Sequence, residues 1–219
     1  MTFSIINPRS VRDISSMLLD ERGCLRVVDA EVLAQTTREE RALFGVRHAC
    51  YVLPTKELIE HLLRLIDGRK AIEIGAGNGV IARALGIPAT DNHQQTWPEV
   101  KAHYEMLKQP VICYGDNVEK LSAIEAVEKY KPEVVVAAWV THQYEPQRHW
   151  AGGNENGVDE SALLARCREY IFIGNEVVHK NKLIWEQPHT KNFHDFLFSR
   201  AANGSRDFLA TWKGSASSR

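Results

Sequence analysis

Arg69-Lys70-Ala71-Ile72-Glu73-Ile74-Gly75-Ala76-Gly77-Asn78-Gly79-Val80-Ile81-Ala82-Arg83-Ala84-Leu85-Gly86 is the stretch that decides the fold. Residues 69–74 read as a short strand, and residues 80–85 as a short helix closed by Gly86. Three alternating glycines join the two. They permit a tight turn and a close backbone approach to a ligand, and the helix start offers free N–H groups. A dinucleotide fingerprint, Gly-x-Gly-x-x-Gly, would need glycine at position 80, where Val80 stands. Glu73, two residues before the first glycine, suits a cationic or hydrogen-bond-donating ligand better than a pyrophosphate, which it would repel.

Working outward, a helix is expected over 56–67, with Thr55 as N-cap and Gly68 as C-cap. Leu58, Ile59, Leu62, Leu63, Leu65 and Ile66 give it a broad apolar face. Residues 1–50 read as a partly helical N-terminal extension, with a capping box at Thr36 and Glu39 and a stop at Gly45. Downstream, an extended stub over 87–90 ends at Asp91, and a helix follows over 98–107. A strand over 111–114 then ends in Gly115-Asp116, and a helix over 118–130 stops before Pro132. Residues 134–139 form a continuous apolar run, as parallel sheets require. A helix over 161–169, a strand over 170–173, a helix near 191–202 and a strand over 208–212 complete the pattern, with a frayed tail at 214–219. Strands alternating with helices predict an α/β fold: a doubly wound, mainly parallel sheet, covered on both faces, that binds ligands at the carboxyl ends of its strands.

Composition removes several function classes. The 219 residues are 44% hydrophobic and 25% charged, as in ordinary globular protein. Lysine plus arginine (27) against aspartate plus glutamate (28) gives −1, so the net charge does not support a nucleic-acid partner, and none is expected at a membrane. The N-terminus lacks the basic start and apolar core of a signal peptide, so a cytoplasmic protein is expected. The cysteines at 24, 50, 113 and 167 are too scattered for a metal knuckle and read as reduced thiols. The nine histidines show no His-x3-His or His-Glu-x-x-His spacing, and no metal is expected.

The loop Glu73 to Gly79 resembles motif I of class I S-adenosylmethionine-dependent methyltransferases, whose usual form is acid-x-Gly-x-Gly-x-Gly after the first strand. The resemblance spans roughly residues 51–173 and implies a Rossmann-like methyltransferase domain over 51–213 with S-adenosylmethionine as cofactor. It implies that Glu73, Gly75, Ala76, Gly77, Asn78 and Gly79 cradle that cofactor. Asp91, with Asn92 as its rival, resembles the residue that takes the ribose hydroxyls. Gly115 and Asp116 resemble the pair that contacts adenine. Residues 51–55 resemble a segment near the methionine end of the cofactor in some families, which makes Thr55 a candidate contact as well as a helix cap. Asp91 and Asp116 also read as plain turn and cap residues.

The acceptor is expected after the fourth strand, in Ala138-Trp139-Val140-Thr141-His142-Gln143-Tyr144. Amino-methylating nucleic-acid enzymes often carry Asn/Asp-Pro-Pro-aromatic there, and this chain has no such proline pair. Trp139 and Tyr144 remain available for stacking, and His142 for proton removal. Glu176 falls at the same edge of the sheet, as a substrate contact or a solvated acid. From Lys180 onward, seven Lys/Arg face three acids, with Trp185, Phe193, Phe196 and Phe198 interleaved; a solvated helix face is the simpler reading. The expected activity is methyl transfer to an unidentified acceptor (small molecule, nucleic acid or protein). The alternative is a non-catalytic S-adenosylmethionine-binding or partner-interaction protein, and an NAD-type oxidoreductase is disfavoured by Glu73 and Val80.

Overall fold

The computed structural model describes residues 10–216. The N-terminal stretch searched for a signal peptide and the last three tail residues lie outside them. In chain order the elements are α1 (Ser15–Leu18), α2 (Ala30–Ala34), α3 (Arg38–Arg47), β1 (Val52–Leu53), α4 (Lys56–Ile66), β2 (Ala71–Ile74), α5 (Val80–Leu85), β3 (Ala89–Asp91) and α6 (Pro98–Met106). Then come β4 (Val118–Lys120), α7 (Ala123–Tyr130), β5 (Val134–Ala138), α8 (Glu160–Leu164), β6 (Glu169–Asn175), β7 (His189–Asn192), β8 (Phe198–Ser199) and β9 (Asp207–Lys213).

Seven strands form one sheet in the order β4-β3-β2-β5-β6-β9-β7. β4, β3, β2, β5 and β6 are mutually parallel, and β9 runs antiparallel between β6 and β7. After β2 the chain winds toward β3, and after β5 it winds the other way toward β6. A crevice opens where the winding reverses, at the carboxyl ends of β2 and β5. This is the doubly wound, mainly parallel sheet of the class I methyltransferase type.

The central strands read as unbroken apolar runs because both faces are covered. Val134 and Val136 of β5 pack with Leu58, Leu62 and Ile66 of α4 and with Ile81 of α5. Val135 and Ala137 turn to the opposite face, against Ala126 and Val127 of α7, Leu163 of α8, and Tyr170, Phe172 and Trp212. Thr55 caps α4 by accepting the Leu58 N–H at 3.1 Å. Asp67 closes that helix in the left-handed conformation, one residue before the expected Gly68. Leu63 of the expected apolar face is 47% exposed.

The N-terminal extension builds its own cluster, in which Ile14, Leu18, Leu33 and Phe44 meet Cys50 and Leu53. Its capping box is Thr37 with Glu40, one register later than Thr36 and Glu39. Thr36 instead donates its hydroxyl to the Leu33 carbonyl at 2.6 Å. Among the described residues, no helix is long and apolar enough to cross a membrane.

Several elements differ from the sequence reading: Gly45 lies inside α3 rather than stopping a helix, and α8 ends at Leu164, well short of residue 169. Residues 111–114 are not a strand: Ile112 donates its N–H to the Gln95 side chain rather than to a neighbouring strand. The third strand of the series lies later, at β4, and α7 starts only after it, where Ser122 caps with Glu125. No helix forms near 191–202, where the chain supplies β7, a turn and β8. Gly214, Ser215 and Ala216 donate N–H groups to the carbonyls of Arg168, Leu164 and Cys167, so this part of the tail is tied down.

Candidate functional site

β2 feeds directly into the glycine loop, and Gly75, Gly77 and Gly79 all take positive φ, at 58°, 54° and 68°. Side-chain-bearing residues resist that region, which accounts for glycine at each place. Two carboxylates fasten the loop from beneath. Glu73 accepts the Ala82 N–H at 2.8 Å. Asp91, at the end of β3, accepts the N–H of Gly77 at 3.0 Å and of His93 at 2.9 Å. Burial pushes the Glu73 carboxyl up to about 8, opposed by the Ala82 hydrogen bond and reinforced by Asp91. Burial also raises Asp91, against its two backbone hydrogen bonds.

Gly115 and Asp116 do not end the third strand; they precede it. The Asp116 side chain is 93% exposed and pairs with Arg83 at 2.8 Å. A Cβ on Gly115 would overlap the Asn78 carbonyl, so this glycine lets the chain pack against the loop's back. The residues that follow the third strand into the crevice are Leu121 and Ser122. The expected adenine pair is therefore displaced, because the strand itself starts at Val118.

Two cavities open at the switch point. One, about 60 Å³, lies against the loop and is lined by Glu73, Gly75, Ala76, Gly77 and Asn78. The other, about 840 Å³, extends past Asp91, Asn92, Lys120 and Ser122 on one side and Trp139, Val140 and Thr141 on the other. Tyr51, Gly75, Ile112 and Ala138 line both. The larger volume lies within the range of small-molecule sites. Asn92 lines it while accepting from the Gln94 N–H and donating to the Asn156 carbonyl.

Trp139 leaves β5 with φ 58°, a costly conformation for a bulky residue, and its Nε1 is buried without a hydrogen-bond partner. Its ring lies 5.9 Å from that of Tyr51 and meets His179 edge-on at 5.1 Å. The wall behind it is held by charge. Lys182 and Glu160 are both buried and pair at 3.0 Å. Lys182 also donates to the Val140 carbonyl at 3.0 Å, and Tyr170 donates to Glu160 at 2.9 Å. Burial lowers Lys182 and raises Glu160, while each partner's charge opposes that shift.

Four candidate contacts stand elsewhere. His142 lines neither cavity; it is buried behind the wall, lowered by burial and by nearby Lys182, with Nε2 unpartnered. Tyr144 bonds its hydroxyl to His149 at 3.0 Å and also lines neither cavity. Thr55 is fully buried, donating to the Phe196 carbonyl at 2.9 Å as well as capping α4. Glu176 pairs with Arg206 at 3.5 Å and Lys191 at 3.9 Å.

The sequence reading missed Tyr104 and Tyr114, which line the larger cavity. Tyr104 shares a hydrogen bond with Tyr51 at 3.1 Å, and Gln95 donates to both hydroxyls. Burial raises both Tyr104 and Tyr114 well above the ordinary phenol range. The spacing of Trp97, Val100 and Tyr104, one helical face, was the available signal.

No protein-family model and no curated protein matches this chain. Among solved structures it is similar to a precorrin 8W decarboxylase from Methanobacterium thermoautotrophicum, at 11% identity, covering 77% of this chain and 94% of that one, TM-score 0.40. It is similar to human methyltransferase 10 domain containing protein, at 16% identity, 84% and 98% coverage, TM-score 0.39. A third is the Pyrococcus abyssi tRNA (uracil-54, C5)-methyltransferase in complex with S-adenosyl-L-homocysteine, at 13% identity, 71% and 37% coverage, TM-score 0.39. This chain's own sheet order and glycine loop carry the conclusion that it has a class I methyltransferase-like fold.

Proposed function

We propose that the chain binds S-adenosylmethionine and transfers its methyl group. The observation that carries this reading is the shared wall of Tyr51, Gly75, Ile112 and Ala138, which makes the loop cavity and the larger cleft one continuous site. The residues fit the cofactor. A Cβ on Gly77 would meet only Ile112, at 3.5 Å, so the loop leaves open space where a ligand can lie against the backbone. Gly75 to Asn78 would hold the methionine end, and Asp91, Asn92 and Ser122 the adenosine. Bound there, the cofactor supplies an electrophilic methyl on a sulfonium.

The protein's part is alignment. Trp139 and Tyr51 flank the junction of the two cavities and restrict how an acceptor can approach. Glu73 and Asp91 fix the loop. Cofactor binding without turnover is the second reading, favoured by His142 lying behind the wall instead of facing the cleft.

Calorimetric titration with S-adenosylhomocysteine tests the proposal. Binding by the unmodified protein, abolished in a still-folded Gly77→Val variant, is the expected result. An unmodified protein that ignores this ligand and binds NADH overturns it. Release of S-adenosylhomocysteine from S-adenosylmethionine in an acceptor screen separates the enzyme from the binding module.

A further inference from the structure

Resting on that reading, one side chain outside the shared wall fixes half of it. Of the four residues common to both cavities, Gly75 follows β2 and Ala138 ends β5, so the central sheet places them. Tyr51 and Ile112 have no such support. Tyr51 precedes the two-residue β1, and Ile112 lies in a stretch without regular structure.

Among the described residues, 110–114 exchange no backbone–backbone hydrogen bond. The two hydrogen bonds that tie this stretch both run to Gln95. Ile112 donates its N–H to the Gln95 Oε1 at 2.8 Å, and Gln95 donates its own backbone N–H to the Tyr114 hydroxyl at 3.3 Å. Held this way, Ile112 faces the glycine loop, where a Cβ on Gly77 would meet it at 3.5 Å.

The other end of the same amide holds Tyr51. Gln95 Nε2 donates to the Tyr51 hydroxyl at 3.3 Å and to the Tyr104 hydroxyl at 3.1 Å, and the two phenols bond each other at 3.1 Å. The Tyr51 ring itself is packed, with the Arg200 guanidinium 3.8 Å from its centroid and the Trp139 ring at 5.9 Å. Neighbours therefore set where the ring lies, and Gln95 sets where its hydroxyl points.

Gln95 is buried, and its amide spends its oxygen on one shared-wall residue and its N–H groups on the other and on Tyr104. A buried amide bonded at both ends holds its partners tightly, because each would be left unsatisfied without it. It stands on the single helical turn Gln94–Thr96, which begins where His93 takes φ 56°, four residues after Asp91. One residue thus joins the β3 side of the crevice to both Tyr51 and Ile112.

We infer that Gln95 is a positioning residue for methyl transfer, setting the spacing between Tyr51, Ile112 and the glycine loop at the junction of the two cavities. In the transfer, the acceptor's lone pair forms a bond to the methyl carbon as the C–S bond breaks, and that bond's electron pair stays on sulfur. Such a displacement depends on alignment at the junction. Gln95 itself gives and takes no proton.

Calorimetry with S-adenosylhomocysteine tests this through two substitutions of similar size. Gln95→Met removes all three side-chain hydrogen bonds and should weaken binding about tenfold. Gln95→Glu keeps an oxygen for the Ile112 N–H, and both phenols can turn their hydroxyls toward it. Its affinity should stay within about threefold of the unmodified protein. A second readout needs no cofactor: the Ile112 δ1-methyl resonance, assigned through Ile112→Val, should move in Gln95→Met and hold in Gln95→Glu. If Gln95→Met fails to fold, Tyr104→Phe, which removes one partner of the amide, should weaken binding about threefold. Equal affinity in all three proteins, or equal loss in both variants, overturns the role of Gln95 and leaves the cofactor reading standing. An unmodified protein that ignores S-adenosylhomocysteine overturns both.

Discussion

The glycine-loop wall is fastened by contacts short in sequence, whereas the wall after β5 is fastened by contacts that span much of the chain. Glu73 reaches Ala82 over nine positions and Asp91 reaches Gly77 over fourteen. Lys182 reaches Val140 over forty-two and is neutralised by Glu160 from yet another element. The first wall uses backbone N–H groups as donors, so it holds with one partner present. The second uses a buried ion pair, which tolerates losing both charges better than losing one. The walls touch where a Cβ on Gly75 would overlap the Val140 side chain.

The largest effect should come from breaking the charged wall on one side only. Lys182→Met leaves Glu160 buried and uncompensated and should cost about 3–5 kcal/mol in denaturant unfolding. Adding Glu160→Gln should recover most of that. If the double variant is no more stable than the single, the ion pair is not what holds this wall.

The loop wall offers a pH test. Because burial raises Glu73 to about 8, the folded protein keeps a proton that the unfolded chain loses near the ordinary carboxyl range. The native state then binds more protons between those values, so stability falls as pH rises from about 5 toward 8. Glu73→Gln, which can still accept from Ala82, should remove about 2–4 kcal/mol of that loss. The two proteins' unfolding free energies should diverge as pH rises; parallel curves would mean Glu73 is ionised in the fold.

Gly75→Ala probes the contact between the walls. It combines left-handed strain with overlap on Val140 and should cost about 1–3 kcal/mol, against about 1 kcal/mol for Gly77→Ala, which meets strain alone. Val140→Ala should offset part of the Gly75→Ala effect in a double-mutant cycle, and strict additivity would deny the contact. Thr55→Ala should be the mildest, costing about 1 kcal/mol through its lost cap. S-adenosylhomocysteine affinity should stay unchanged in this variant, since Thr55 lines neither cavity; a weakened affinity would return Thr55 to the site.

The same contrast explains what could be read from the sequence. β2, the glycine loop, α5 and β5 were legible because their signals are local: alternating glycines, a helix closed by Gly86, an unbroken apolar run. Asp91 fell at a strand end for the same reason. β4 was hidden because its three residues, Val118-Glu119-Lys120, carry little apolar signal. The more apolar residues 111–114 attracted the strand assignment, yet Ile112 and Tyr114 serve the cleft. The supposed helix near 191–202 failed because its aromatics do not share a helical stripe: Phe193 takes a cation–π contact from Arg206, Phe196 stacks on His194, and Phe198 packs on the N-terminal cluster. His142 was placed at the cleft by its distance from β5; the chain does run there, but Thr141 and Gln143 line the cleft while His142, between them, faces away. The positive φ at Trp139 had no sequence signal, since tryptophan rarely adopts it.

α6 stands over the cleft with no buried residue of its own, and its inward side chains, Val100 and Tyr104, line the cavity. A helix anchored so lightly belongs to the least protected part of the molecule in amide hydrogen exchange. A molecule seated below it would supply the apolar contact it lacks. Occupancy of the cleft should therefore be written in the exchange rates of the α6 amides, slowed when the site is filled while the β5 and β6 amides stay as they were.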